Sequence, residues 1–227
     1  MPTVGLYQFD EEIGSGAFGT VYKGRHSQTN DIVAGKKLQI EKAYYDEKYE
    51  DEARILIELP PHENVVKIIG FEKREIELGG IDCVELWLIS EYLPYSLKGY
   101  ANTYDLSVDD KLELMIQCCR GLLHLHNHDI IHRDLKPDNV MVSRDEDGKP
   151  TVKIIDFGES RIVDRPDGRT EVMKSFVGTQ VFMAPELLQK EGNMCKPEYR
   201  TSVDVFALGI TFLSLLPSKK RHLYESL

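Results

Sequence analysis

A polar segment lies near the middle of the sequence, between two runs of apolar residues. It reads HRDLKPDN, from His132 to Asn139. Polar groups persist between core-forming runs when they bond to one another or take part in chemistry. Asp134 could accept a proton from a hydroxyl group, and Lys136 could neutralise the charge on a phosphate during its transfer.

Two further side chains could bind a divalent cation. Asn139 offers an amide oxygen, which is a hard ligand suited to Mg²⁺. Asp156 follows the strand-like segment VKII and supplies a carboxylate, and Gly158 lets the backbone turn at that point. Together with Asp134 and Lys136, these residues predict a site where a metal ion and a phosphate meet.

A glycine-rich segment, GSGAFGTV from Gly14 to Val21, is another candidate phosphate site. A dinucleotide-binding fingerprint would require a helix after the last glycine, and a Walker-type loop would require Gly-Lys-Ser or Gly-Lys-Thr. Because the chain continues as a strand, we interpret the segment as the tip of a β-hairpin whose backbone can approach phosphates closely. A merely flexible turn is the alternative on this motif alone.

A glutamate in a predicted helix conflicts with the apolar pattern around it. Glu52 falls on the same side of the helix as Ile55, Leu56 and Leu59. A buried carboxylate requires a partner, and Lys36 on the preceding strand is the natural one. The alternative is that Glu52 lies at the edge of the apolar stripe and is solvated.

Strands precede helices along the chain, which favours an α+β architecture with two lobes. We expect an N-lobe at residues 1–93 and a C-lobe at 94–227, with a hinge near 91–94. The expected elements are three strands in the first part of the chain, a helix over about 41–59, strands over 65–78 and 82–92 joined at Gly79-Gly80, a helix over 110–128 capped by Ser107 and Asp109, strands at 139–142 and 152–156, and a buried helix over 205–216.

The composition is that of a soluble folded protein, with 41% hydrophobic and 29% charged residues. The net charge of −10 disfavours nucleic acid and acidic membrane surfaces as partners. No signal-like segment opens the chain, and the longest apolar run, residues 205–216, is too short to span a bilayer. The 4 cysteines do not form a disulfide framework, which favours a cytoplasmic location.

In this order, GSGAFGTV, VAGK, Glu52, HRDLKPDN, DFG and APE resemble the signature motifs of the eukaryotic protein kinase catalytic domain. The resemblance begins near Tyr7 and covers the rest of the chain, so residues 1–227 are expected to form one kinase domain. It implies a two-lobed kinase-like fold, with a small β-rich N-lobe and a mainly helical C-lobe. It also implies a serine/threonine kinase, since Pro137 follows Lys136 and Thr179 precedes APE as in that class.

The resemblance implies a role for each matching residue, with ATP and Mg²⁺ as cofactors and a protein hydroxyl as acceptor. Lys36, paired with Glu52, would hold the α- and β-phosphates. Asp134 would orient the hydroxyl and accept its proton, Lys136 would steady the γ-phosphate, and the two metal ligands named above would bind Mg²⁺. The residues expected to enclose the nucleotide are Gly14, Ser15, Gly16, Ala17, Phe18, Gly19, Val21, Ala34, Ser90, Glu91 and Leu93.

Control by phosphorylation is also implied. Arg133, beside the catalytic aspartate, is typical of kinases that are activated by a phosphate in the following loop. Ser175 is the first candidate for that phosphate and Thr170 the second, with an upstream kinase as partner. The alternative is that both are ordinary loop residues.

Some features depart from the family's pattern. Gly35 replaces a branched apolar residue and is expected to loosen the strand that holds Lys36. Glu186 is expected to be a buried carboxylate without its usual arginine, and the helix at 205–216 to expose an apolar face. We therefore expect a C-lobe that is truncated after this helix. The alternative function is a kinase-like module that binds ATP or a partner without significant phosphoryl transfer.

Overall fold

The computed structural model describes residues 2–16, 19–157, 160–162, 180–188 and 201–215. The chain divides into two compact units, Met1–Pro61 with Val66–Leu93 and His62–Val65 with Pro94–Leu227. The two-lobed, β-rich and helical organisation expected for a kinase-like fold is confirmed.

The short segment His62–Val65 groups with the second unit because its polar atoms bond there. Asn64 O accepts from Ile154 N at 3.0 Å, and Asn64 Nδ2 donates to Val152 O at 2.9 Å. Gly121 permits this approach, since a Cβ at that position would lie 2.4 Å from Asn64 O. The sequence-based boundary, which placed this segment in the N-lobe, differs from the structure by these residues.

The first unit is built on one antiparallel sheet with strand order β1-β2-β3-β4-β6-β5. Strands β5 and β6 join at Gly79 and Gly80, whose φ angles of 59° and 83° favour glycine. The elements of this unit are β1 (Thr3–Val4), β2 (Tyr7–Gly16), β3 (Gly19–His26), β4 (Ile32–Glu41), α1 (Lys48–Glu58), β5 (Ile68–Leu78) and β6 (Ile81–Glu91).

One face of this sheet is covered by its own aromatic core. Phe9 and Trp87 are fully buried, and their rings stack with centroids 4.6 Å apart. A Cβ at Gly35 would lie 2.3 Å from the Phe9 ring, so only glycine leaves room for this packing. Gly35, which looked like a weak point of β4, therefore has a packing role.

The expected start of the first helix is wrong. Strand β4 continues to Glu41, which pairs with Cys83 of β6, and a 3₁₀ turn follows at Lys42–Tyr44. Helix α1 begins only at Lys48. The strand ends one residue later than expected because Glu41 pairs with β6, and that pairing is between residues far apart in sequence. Within α1, Ala53 is buried.

The second unit is mainly helical, with two small sheets ordered β10-β9-β7 and β11-β8. Its elements are β7 (Tyr95–Ser96), α2 (Leu97–Thr103), α3 (Val108–His126), β8 (Ile130–Ile131), β9 (Val140–Arg144), β10 (Pro150–Ile154), β11 (Arg161–Ile162), α4 (Pro185–Leu188) and α5 (Thr201–Ser214).

Helix α3 begins with a capping box. The Ser107 hydroxyl accepts from Asp110 N at 3.1 Å, and Ser107 N donates to the Asp110 carboxylate at 2.9 Å. The expected cap named Asp109, so the acidic partner is corrected by one residue. The reason is geometric, because the third helical residue is the one whose side chain reaches back to the cap.

Helices α4 and α5 pack on β8 through a small apolar cluster. Its members are Ile131, Ala184, Leu187 and Val203. Val205 and Phe206 of α5 are exposed, in agreement with the expected exposed apolar face. Glu186 is exposed, so the expectation of a buried carboxylate is wrong. Among the described residues, no helix combines the length and the apolar character that crossing a bilayer would require.

Candidate active site

The polar segment between β8 and β9 folds into a bonded network around one carboxylate. Asp134 is buried, and its Oδ2 accepts from Lys136 Nζ at 2.6 Å and from Asn139 Nδ2 at 2.9 Å. Asn139 Nδ2 also donates to Asp134 O at 2.8 Å. The three polar side chains predicted to act together are therefore in contact. Their mutual bonds offset the cost of burying the charge.

Asp156 lies next to this network through backbone contacts. Ile155 N donates to Asn139 O at 3.0 Å, and His132 Nε2 lies 2.8 Å from Ile155 O. Asp156 itself has a φ of 63°, in the left-handed region that non-glycine residues avoid. Such strain persists where the surroundings enforce it, and functional sites are where it clusters.

The backbone of this loop is held by an acid that the sequence analysis did not assign to the site. Asp204 of α5 is fully buried, and its two carboxylate oxygens accept from His132 N and Arg133 N, each at 2.8 Å. His126 Nε2 lies 2.9 Å from Oδ2. These bonds hold Arg133 at a φ of 71°. The available signal was a lone charge inside the otherwise uncharged helix TSVDVFALGITFLS, since such a charge requires partners.

In the first unit, the strand register places several predicted residues on one face of the sheet. Val21 is opposite Lys36 on β4, Lys36 is opposite Leu88 on β6, and Ala34 is opposite Ser90. Directly opposed residues point to the same side of a sheet. The ammonium group of Lys36 and the small or apolar side chains predicted to line the nucleotide therefore share a surface.

The glycine-rich segment is the tip of the β2–β3 hairpin, as predicted. Gly16 is opposite Gly19, and Gly14 is opposite Val21. Gly19 has a φ of +113°, and a Cβ there would lie 2.2 Å from Lys37 O, so this position requires glycine. No heavy atom of the described residues lies within 4 Å of a Cβ built at Gly14 or Gly16. At Gly14 and Gly16, the described parts of the chain beyond the neighbouring residues therefore leave the backbone uncovered.

Glu91, near the end of the first unit, is held by hydrogen bonds to Lys67. Glu91 N donates to Lys67 O at 3.2 Å, and Lys67 N donates to Glu91 Oε1 at 2.8 Å. The Ser90 hydroxyl donates to Glu91 O at 3.3 Å, and Leu93 is buried. These two hydrogen bonds join Glu91, at the end of β6, to Lys67, just before β5, and fix the backbone at the start of the predicted hinge.

Comparison with known families shows which protein family the chain belongs to. A family model described as protein kinase domain matches residues 7–225. The chain belongs to this family. Among curated relatives of the kinase domain, Misshapen-like kinase 1 of Rattus norvegicus is 32% identical over 221 residues, which is 93% of this chain and 15% of that protein.

Two further relatives are named as serine/threonine-protein kinases. They are dst2 of Dictyostelium discoideum, 32% identical over 93% of this chain and 17% of that protein, and DCLK3 of Homo sapiens, 30% identical over 92% and 30%. The kinase domain thus spans less than a third of the length of each of these three relatives.

The residues of the second unit fit a magnesium ion. Because the nitrogen of the Asn139 amide bonds to Asp134, the amide oxygen is the atom suited to a cation. The Asp156 carboxylate follows at the neighbouring strained turn. Mg²⁺ binds proteins through one or two such oxygens and completes its shell with waters and phosphates. In the part of the chain that the structure describes, no group of three or more His, Cys, Asp or Glu residues could enclose a metal by itself.

Several predicted residues of the kinase domain lie outside what the structure describes. Glu52 belongs to α1, but its side chain is among them. The others are Ala17, Phe18, Gly158, Thr170, Ser175 and Thr179. Their assigned roles remain predictions.

Proposed function

We propose that this kinase domain is a serine/threonine protein kinase that transfers the γ-phosphate of Mg·ATP to hydroxyl groups of proteins. The observation that carries the proposal is the contact of one buried carboxylate, that of Asp134, with Lys136 and Asn139. Phosphoryl transfer requires little covalent chemistry of the protein, so catalysis consists of positioning and charge stabilisation. A fixed network of this kind supplies both.

Each residue of the network has a separate task. Asp134 orients the acceptor hydroxyl and takes its proton, and the bonds to Oδ2 hold that carboxylate in place. Lys136 balances the negative charge on the phosphate in transfer. Asn139 and Asp156 are the two ligands for Mg²⁺, which supplies positive charge to the phosphates when bound.

The first unit contributes the nucleotide-binding residues. Lys36, in a pair with Glu52, holds the α- and β-phosphates, and the backbone of the hairpin tip covers them. The shared face of Val21, Ala34 and Ser90 suits the flat, largely apolar adenine ring. The full set is Gly14, Ser15, Gly16, Ala17, Phe18, Gly19, Val21, Ala34, Ser90, Glu91 and Leu93.

Protein substrates follow from the kinase family, and an upstream kinase acting at Ser175 or Thr170 completes the proposed partners. We place the enzyme in the cytoplasm because the cysteines that the structure describes form no disulfide; Cys83 and Cys118 are buried and Cys119 is exposed. Cys83, Cys118 and Cys119 are free thiols, and burial raises the pKa of the Cys118 thiol to about 12. Such a thiol is unreactive at neutral pH.

The test is phosphate transfer from Mg·ATP to a generic basic protein by the 227-residue chain and by its Asp156→Asn variant. We expect transfer to serine or threonine, and a loss of at least about a hundredfold in the variant. Asp147→Asn, at an exposed site between β9 and β10, is the matched control and should keep full activity. Absence of transfer by the parent chain, or equal transfer by Asp156→Asn, would contradict the proposal.

A further inference from the structure

A cluster outside the candidate active site joins the start of α1 to the edge strand β5. Lys73 Nζ on β5 donates to Glu50 Oε1 on α1 at 2.8 Å. The Tyr45 hydroxyl donates to the same oxygen, and Lys73 Nζ lies 4.4 Å from the centroid of the Tyr45 ring. We name these three residues the β5 clamp. Arg54 contributes at its margin, with Nη2 3.5 Å from Glu50 Oε2.

The three members of the β5 clamp stabilise one another's charge states electrostatically. Hydrogen bonds from Lys73 and Tyr45 lower the pKa of Glu50, and the bond to Glu50 raises the pKa of Lys73. Burial, followed by the bond to Glu50, raises the pKa of Tyr45. The carboxylate and the ammonium group are therefore charged and the phenol is neutral at physiological pH. A network of this kind is a firmer attachment than an isolated surface ion pair.

The β5 clamp holds α1 against the face of the sheet that presents Lys36. Lys73 is opposite Leu86 on β6, and Leu86 is opposite Leu38 on β4. Leu38 lies two residues after Lys36, so both side chains point to the same side of the strand. The sheet face that Lys73 ties to α1 is thus also the Lys36 face.

The anchored position lies on the same helical turn as Glu52. Glu50 precedes Glu52 by two residues, which is about 3 Å along a helix axis. Because the backbone of one turn moves as a unit, fixing Glu50 fixes the height and rotation of the Glu52 backbone.

A second ion pair lies beside the β5 clamp and joins the 3₁₀ turn before α1 to the same strand. Lys42 Nζ lies 2.7 Å from Glu75 Oε2, two residues further along β5 from Lys73. The polarity is reversed, since the strand supplies the acid here and the base in the β5 clamp. Both side chains of this second pair are largely exposed, so the pair should contribute little and does not hold α1 itself.

We propose that the β5 clamp is a positioning device for phosphoryl transfer, setting the position of α1, the helix that carries Glu52, the proposed partner of Lys36. The inference rests on the function proposed above. Tyr45, Glu50 and Lys73 act through Glu52 and contact no reacting atom. Weakening the clamp lets α1 shift, so the ammonium group of Lys36 loses its orientation while the catalytic loop keeps its own.

The experiment compares Lys73→Met with Glu75→Gln in the full chain. Lys73→Met keeps the apolar stem and removes the charge, whereas Glu75→Gln weakens the neighbouring pair, whose side chains are 50% and 61% exposed. We measure kcat, KM for ATP and amide hydrogen exchange over residues 48–58. Lys73→Met should accelerate exchange in this segment and lower kcat about tenfold, and Lys73→Arg should restore both. Glu75→Gln should change kcat by less than about twofold.

The readouts separate the clamp from the proposed function. Faster exchange in Lys73→Met with an unchanged kcat would overturn the positioning role, and unchanged exchange would overturn the clamp itself. A parent chain without transfer activity would contradict the proposed function, while the exchange comparison would still decide whether Lys73 holds α1. An equal fall in kcat for Lys73→Met and Glu75→Gln would also overturn the inference, because such a fall would not depend on the contacts of the β5 clamp.

Discussion

The loop from His132 to Asn139, between β8 and β9, and the start of α1 are held by contacts of different kinds. Backbone N–H groups of the loop bond to Asp204, whose side chain is 0% exposed. Helix α1 is held by side chains, those of Glu50 and Lys73, which are 20% and 34% exposed. Buried bonds to a charged group are strong and costly to leave unmade, whereas a partly exposed network, although firmer than an isolated ion pair, is weaker and is screened by salt. The loop is therefore a fixed part of the molecule, and α1 is a part that can be adjusted at low energetic cost.

The largest expected effect comes from removing the anchor of the fixed region. Asp204→Ala leaves His132 N and Arg133 N buried without their acceptors, which should lower the free energy of unfolding by about 3 kcal/mol. Urea unfolding of the purified chain measures this loss. Glu186→Ala, at an exposed acid, is the control and should stay within about 0.5 kcal/mol of the parent. A loss of less than about 1 kcal/mol for Asp204→Ala would show that the loop does not depend on this anchor.

A smaller loss of stability tests whether the sheet of the first unit tolerates a change in packing as readily as α1 tolerates a shift. Gly35→Ala places a methyl group against the buried Phe9 ring, so overpacking should cost about 2 kcal/mol in unfolding free energy. The double variant with Phe9→Leu should recover part of that loss, because the smaller side chain leaves room. Equal unfolding free energies for Gly35→Ala and the parent would mean that the sheet adjusts its packing at as little energetic cost as α1 adjusts its position.

The smallest expected effect lies in the segment after α1. The His62 ring stacks on His124 with centroids 4.6 Å apart, and its Nδ1 accepts from Asn64 N at 3.0 Å. Burial and then His124 lower the pKa of His62; Lys153 acts in the same direction, and Glu63 opposes them. The neutral ring is thus favoured in the folded state. Its contribution is complete above the ordinary histidine pKa and is lost as pH falls through the lowered value.

Thermal unfolding at two pH values measures this contribution. Between pH 7.5 and 5.5, the parent chain should lose about 2 °C more in Tm than His62→Asn, which keeps an acceptor for Asn64 N. An identical pH dependence of Tm in both proteins would show that His62 plays no part.

The site was predictable where its residues are close in sequence. HRDLKPDN places Asp134, Lys136 and Asn139 within one short loop, so their spacing already implied contact. The hairpin tip followed from the strand-like residues after its last glycine. The role of Asp204 was not predictable in the same way, because it depends on an approach between segments about seventy residues apart.

The misplaced start of α1 has the same origin. Residues from Glu41 to Tyr44 have a helix-compatible composition, but Glu41 pairs with β6 and a 3₁₀ turn follows at Lys42–Tyr44. The exposure of Glu186 was likewise outside the reach of sequence, since it depends on which neighbours of α4 are buried. Local patterns predicted which polar side chains of the loop lie together, whereas non-local pairing determined the element boundaries and the contacts that support the loop.

The most direct test of the central claim is single-turnover phosphate transfer by Asp134→Asn beside Asp138→Asn. The two aspartates belong to the same loop and undergo the same substitution, but Asp134 is buried in the network and Asp138 is exposed. We predict that Asp134→Asn transfers phosphate at least about a hundredfold more slowly than the parent, with a Tm close to that of the parent, whereas Asp138→Asn transfers at the parent rate. Equal rates for the two variants would contradict the assignment of Asp134 as the catalytic base and, with it, the account of this site.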